Sequence, residues 1–215
     1  TIKAGKVIYS NIFDGVDLDK LQIICNGKLP QTDLSYCFYN SSFSSNDAIT
    51  TLLSKVSSIT NLDYCFYRTT ITSTDILSSI NMGTSSTMNY TFAECPNITS
   101  LSGVIISRNV TAVEGMFYKC TLTSISNITV NVEGSISGLF KGCSQLTSIT
   151  NLRIPNVSDV SGTFEGCSKL AALSGFELPD SCTKVSNLFK GCYMLTELAM
   201  NFGSNITEGT DWYPP

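Results

Sequence analysis

Apolar residues recur along this chain in a fixed phase. Phe13, Phe38, Phe66, Phe92, Phe117, Phe140, Phe164 and Phe189 are 25, 28, 26, 25, 23, 24 and 25 residues apart. Four residues before all but the first Phe sits an apolar side chain: Leu34, Leu62, Met88, Val113, Ile136, Val160 or Val185. Three residues after it sits a small one: Val16, Ser41 and Thr69, then Cys95, Cys120, Cys143, Cys167 and Cys192. An i, i+4, i+7 series lies on one face of a short helix, so the spacing predicts a helical turn around each Phe. Ser or Thr six residues before the Phe (Thr32, Thr60, Ser86, Thr111, Ser158, Thr183) fits an N-cap. Thr111 and Glu114 have capping-box spacing. Gly15, Gly142, Gly166 and Gly191, two residues after the Phe, suit a left-handed stop.

The other half of each unit follows a different pattern. Leu122-Thr-Ser-Ile125-Ser-Asn-Ile128-Thr-Val130 is echoed by Leu146-Thr-Ser-Ile149-Thr-Asn-Leu152-Arg-Ile154 and by Leu170-Ala-Ala-Leu173-Ser-Gly-Phe176-Glu-Leu178. Thr-rich, β-branched segments ending in an alternating pair predict a short strand. One unit cannot bury its apolar face alone, and stacked units can. The expectation is an α/β solenoid of about eight rungs, each a short strand plus a short helical turn. At roughly 4.8 Å per rung it would be a rod of about 40 Å. The expected organisation is one domain over 1–215: an N-terminal cap at 1–12, repeats at 13–202, and a C-terminal cap or linker start at 203–215. The longer, serine-rich first three repeats are expected to give irregular rungs.

The pattern Φ-x-x-x-F-x-G-C-x-x-L is best seen in Val160-Ser-Gly-Thr-Phe164-Glu-Gly-Cys167-Ser-Lys-Leu170 and in Ile136-Ser-Gly-Leu-Phe140-Lys-Gly-Cys143-Ser-Gln-Leu146. It resembles the BspA-like leucine-rich repeats and the mycoplasma-type 25-residue "surface protein" repeats. The first three repeats lack the Gly-Cys pair. The resemblance implies a leucine-rich-repeat fold and a surface or adhesive role, and it transfers no catalytic residue.

Composition narrows the chemistry. Histidine is absent, so Ser-His-Asp, Cys-His, HExxH and histidine-ligated zinc sites are excluded. Net charge is −4, with no basic cluster to mark a nucleic-acid partner. No apolar run approaches a membrane span, so no membrane insertion is expected. A start at Thr1 suggests a processed product or an excised domain. Charged residues are only 14%, their place taken by 30 Ser, 24 Thr and 16 Asn. Nine cysteines contain no CxxC pair. Five of them follow the repeat, which favours small, free core side chains over a metal or redox ladder. Cys37 and Cys65 belong to a second column, just before the Phe. Carboxylates are scattered one per repeat, apart from Asp14, Asp17 and Asp19. They read as solvated turns, not as the paired carboxylates of a glycoside-cleaving enzyme or a calcium loop. No cofactor or metal is expected, and no enzyme activity.

Tyrosine is the more informative residue. Tyr36, Tyr64 and Tyr90 stand two residues before the Phe, and Tyr39, Tyr67 and Tyr118 one after it. Later repeats place Gly115, Gly138, Gly162 and Asn187, or Lys141, Glu165 and Lys190, at those positions. The N-terminal half is expected to show a tyrosine stripe, suited to a contact surface. Alternatively, the rings merely cover backbone at wide turns. On the strand face, Ile105, Thr129, Arg153 and Glu177 occupy equivalent positions; Arg153 and Glu177 join the six tyrosines as candidate partner-binding residues. Seven N-x-S/T sequons (Asn40, Asn89, Asn97, Asn109, Asn127, Asn156 and Asn205) follow from the repetition. The expected function is recognition of a protein or glycan at a cell or virion surface, with contacts to other domains of a longer parent chain. The alternative is a structural repeat of a larger surface or virion assembly.

Overall fold

A computed structural model describes residues 11–20, 33–56, 58–196, 198, 200 and 205–211. Most of the expected cap at 1–12, together with Cys25 and Trp212, lies outside them.

The chain winds into a solenoid. Its elements are 3-10 turns at Leu18–Lys20 and Asp75–Ser79, helix α1 (Asp47–Leu53), and strands β1 (Ile59–Asn61), β2 (Met82–Thr87), β3 (Ser100–Ser102), β4 (Ile105–Ile106), β5 (Val110–Ala112), β6 (Ser124–Val130), β7 (Ser148–Arg153) and β8 (Ala172–Ser174). All strand pairs are parallel, in the sheets β1-β2-β5 and β3-β6-β7-β8, with β4 also on β6. The register repeats the sequence echo: Leu101 pairs with Ile125, Ile125 with Ile149, and Ile149 with Leu173. Leu101, Ile125 and Ile149 are buried, while Ser102 and Thr150 in the flanking column face outward.

The eight phenylalanines form one continuous stack. Successive rings lie 5.2–6.0 Å apart and within 11° of parallel, from Phe13 to Phe189. Strand pairing is less extensive, and the longest sheet has five strands. In the long early repeats α1 and the Asp75–Ser79 turn contribute Ile49, Leu52, Leu53 and Ile76 to the core. That is the physical form of the irregularity expected there.

The helical turn expected around each Phe is replaced by another structure. The residues two before and two after it are left-handed in every repeat from Phe38 on. Examples are Tyr36 (φ 56°) with Asn40 (φ 55°), and Gly162 (φ 60°) with Gly166 (φ 76°). Three overlapping turns result, as in Cys37 N to Leu34 O, Tyr39 N to Tyr36 O and Ser41 N to Phe38 O. The alternate amides reach the next rung: Tyr36 N donates to Asp63 O and Phe38 N to Cys65 O. This half of the unit is therefore tied rung to rung like a sheet. Residues −4, 0 and +3 still share the inner side, so the helical and turn geometries predict the same burial pattern. With no helix there, the predicted N-caps do other work. Ser86 Oγ donates to Ile59 O at 2.9 Å, and Thr111 Oγ1 to Ser86 O at 3.2 Å. The Glu114 amide donates to Asn89 Oδ1, not to a Thr111 cap.

Candidate functional site

The turn column carries the tyrosines. Tyr36, Tyr64 and Tyr90 stack face to face at 4.8 and 5.0 Å, and Tyr39 and Tyr67 at 5.0 Å. The two ladders touch: Tyr36–Tyr39 and Tyr64–Tyr67 are 5.7 Å apart, and Tyr118 meets Tyr90 edge-on at 6.0 Å. Six residues distant in sequence thus form one aromatic surface. Tyr36 is exposed and the other five are partly buried. Left-handed φ costs an L residue roughly 1–2 kcal/mol, and an aromatic pair returns roughly 0.5–1.5 kcal/mol. The two stacked pairs of this column therefore offset part of the backbone strain of the three tyrosines.

Charged groups frame this surface. Tyr67 donates its hydroxyl to Glu94 Oε1 at 2.7 Å, and Arg68 Nε donates to Glu94 Oε2 at 2.7 Å. The Arg68 guanidinium lies 5.2 Å from the Tyr67 ring centre. Burial, then the hydrogen bond to Glu94, push the Tyr67 phenol up to about 12. Burial alone would raise the Glu94 carboxyl, but the hydrogen bonds from Tyr67 and Arg68 win and hold it below its ordinary value. Desolvation, then the neighbouring Tyr36 and Tyr90, raise Tyr64. Lys119 Nζ sits 5.0 Å over Tyr118, and Lys141 pairs with Glu165 at 2.9 Å.

The strand-face candidates lie elsewhere. Arg153 and Glu177 line an open groove of about 650 Å³ with Asn127, Thr129, Asn151, Pro155 and Pro179. A second left-handed column, Gly103, Asn127, Asn151 and Gly175, bends the chain there. Asn151 Nδ2 donates to Asn127 Oδ1 at 3.0 Å. A Cβ on Gly175 would come within 2.5 Å of the Asn151 side-chain oxygen, so glycine closes that ladder. The sequence reading named Arg153 and Glu177 but missed this column. Its signal was the Gly/Asn alternation at 24-residue spacing. The two side chains form no ion pair with one another among the described residues. Ile105, in the same register, is 73% exposed.

The cysteine column is structural. Each +3 thiol donates to the Phe carbonyl of the preceding rung: Cys95 to Phe66 (3.0 Å), Cys120 to Phe92 (3.0 Å), Cys143 to Phe117 (3.1 Å), Cys167 to Phe140 (3.2 Å) and Cys192 to Phe164 (3.1 Å). Ser41 makes the same bond to Phe13. All eight described cysteines are free and buried. Burial pushes Cys37 and Cys192 up to about 12 and Cys95 up to about 11, so at neutral pH the thiols are protonated and poor nucleophiles. Among the described residues no group of three or more potential ligands could hold a metal, and no helix is long and apolar enough to cross a membrane. The Asp19 carboxylate accepts from Ser44 N and Oγ.

Residues 85–211 match, in six copies, the family model described as BspA type leucine-rich repeat region. The chain belongs to this family. Residues 32–132 also match a family described as a Mycoplasma protein of unknown function. The two matches overlap and together take in the early repeats and the regular ones. No curated protein and no solved structure matches the chain. In BspA-type terms, the recurring Phe, Cys and Leu are core positions. The tyrosines are specific to the N-terminal repeats of this chain.

Proposed function

We propose that this chain is a non-enzymatic recognition module, displayed at a cell or virion surface, that contacts a protein or glycan partner through its tyrosine face. One comparison carries this reading. The turn around Phe has the same left-handed residues and the same rung-to-rung bonds whether tyrosine or glycine stands at −2. Tyr64 N donates to Asn89 O, and Gly138 N to Ser161 O, both at 2.9 Å. Glycine fills this backbone position without strain, so the fold does not require tyrosine there. That favours a contact role over the alternative, in which the rings merely cover backbone at wide turns. Tyrosine offers apolar area and a hydroxyl at low entropic cost, and stacking preorganises the rings.

The test is a glycan and surface-protein binding array, run with the wild-type chain and with the double variant Tyr36→Ala/Tyr64→Ala. Binding of the partner found is expected to fall about tenfold or more, with little change in melting temperature. Unfolding of the variant, or undiminished binding, refutes the assignment.

A further inference from the structure

The tyrosine surface has a break. The column after the Phe runs Tyr39, Tyr67, Ala93, Tyr118 and Lys141, so one rung lacks a ring. The column before it runs Tyr36, Tyr64, Tyr90 and then Gly115. Tyr90 lies directly over Gly115, where an added Cβ would come within 2.4 Å of the ring. Tyr118 leans edge-on against Tyr90 at 74°, and Ala93 is 0% exposed. Where the two ladders stop, Tyr64, Tyr67, Tyr90, Tyr118 and Lys141 line an open notch of about 340 Å³.

The chemistry of the notch selects among ligands. The hydroxyl of Tyr67 is held by Glu94, but those of Tyr64, Tyr90 and Tyr118 have no hydrogen-bond partner among the described residues. Each phenol both donates and accepts, and the Lys141 ammonium adds donors. The walls therefore combine aromatic carbon with several uncommitted hydroxyls, on rings whose centres are 5.0 and 6.0 Å apart. Lys119, over the Tyr118 ring, already supplies a cation to this aromatic face, which disfavours a quaternary ammonium, the usual guest of an aromatic box. A purely apolar side chain would leave the hydroxyls unused. A sugar ring matches both halves: its axial C–H face packs on an electron-rich ring and its equatorial hydroxyls exchange hydrogen bonds with phenols. The volume lies at the small end of the ligand-site range of roughly 300–1,000 Å³, room for one or two rings of a chain that continues outside.

We propose that the notch is a binding site for a hexopyranose unit of a glycan. This rests on the tyrosine face being the recognition surface. Alanine already stands one rung before Tyr118 in the same column, at Ala93, so Tyr118→Ala would remove one wall of the notch and leave the turn in place. The probes are hexasaccharides of β-1,4-glucose, β-1,4-N-acetylglucosamine and α-1,4-mannose, with a proline-rich decapeptide as the non-sugar control. Titrations would be followed by the ring resonances of Tyr90 and Tyr118. At least one hexasaccharide is expected to shift those resonances saturably. Tyr118→Ala, followed through Tyr90, is expected to weaken it about tenfold, and Lys141→Ala, at the rim and structurally mild, severalfold. The proposal is overturned if no hexasaccharide binds, if binding leaves Tyr90 and Tyr118 unmoved, if both variants bind like wild type, or if only the peptide binds. If Tyr36→Ala/Tyr64→Ala abolishes partner binding while Tyr118→Ala leaves it unchanged, the tyrosine face stands and the notch falls.

Discussion

Cysteine at +3 is small enough for the interior, yet its thiol also satisfies a carbonyl one rung away. That carbonyl already accepts the +3 amide of its own rung, as Phe140 does from Cys143 N. Ser41 and Thr69 fill the same position in the early repeats: Ser41 donates to Phe13 O one rung away, and Thr69 to Phe66 O of its own rung. The pattern gives an ordered series at Cys143. Cys143→Ser keeps the donor and is expected to cost under about 1 kcal/mol. Cys143→Ala loses the donor and leaves a void, costing about 1–2 kcal/mol, as chemical denaturation would measure. Equal losses for both would mean that the contact contributes nothing. The sequence showed that this column was core and unbridged, because its period was that of the repeat. It did not show the thiol-to-carbonyl bond, because that depends on which carbonyls the turns leave facing inward.

At the scale of the element, the misread feature was the turn. A helix and a run of overlapping turns both place −4, 0 and +3 inside, so the apolar spacing could not separate them. The discriminating residues were Gly115, Gly138 and Gly162, which would sit mid-helix, where glycine is unfavourable. Their recurrence marks a left-handed position. Gly166 carries the sharpest test. Its φ is 76°, and a Cβ would meet only ordinary contacts, 3.6 Å or more from Gly142. Gly166→Ala should then cost about 1 kcal/mol through backbone strain alone, read as a lower denaturation midpoint with an unchanged slope. A neutral result would argue that the turn is not left-handed there. The strands were legible in register because the echoed segments pair with themselves, Ile125 beside Ile149. The left-handed bend at Asn127 and Asn151 inside that strand was not, since Asn in a Thr-rich run reads as a loop residue or a sequon.

Across the whole molecule, two kinds of order coexist. The Phe stack and the rung-to-rung amides run from one end to the other, and the thiol bonds from Cys95 to Cys192, while the surface changes character partway. Tyrosine ladders cover the early turns, and later turns carry glycines and ion pairs such as Lys141–Glu165. A uniform interior under a non-uniform exterior is the contrast on which the proposed recognition role rests. Sequence alone located the six tyrosines, because their columns were defined by the Phe anchor. It could not tell that their rings stack, nor that a notch opens beside Tyr90 and Tyr118, because both depend on ring tilt. The most direct measurement is hydrogen–deuterium exchange of the chain with and without the partner selected on the array. The account predicts slowed exchange in the turns of Tyr36–Tyr39, Tyr64–Tyr67 and Tyr90. Protection confined to the Thr129, Arg153 and Glu177 groove, with those turns unchanged, would contradict it.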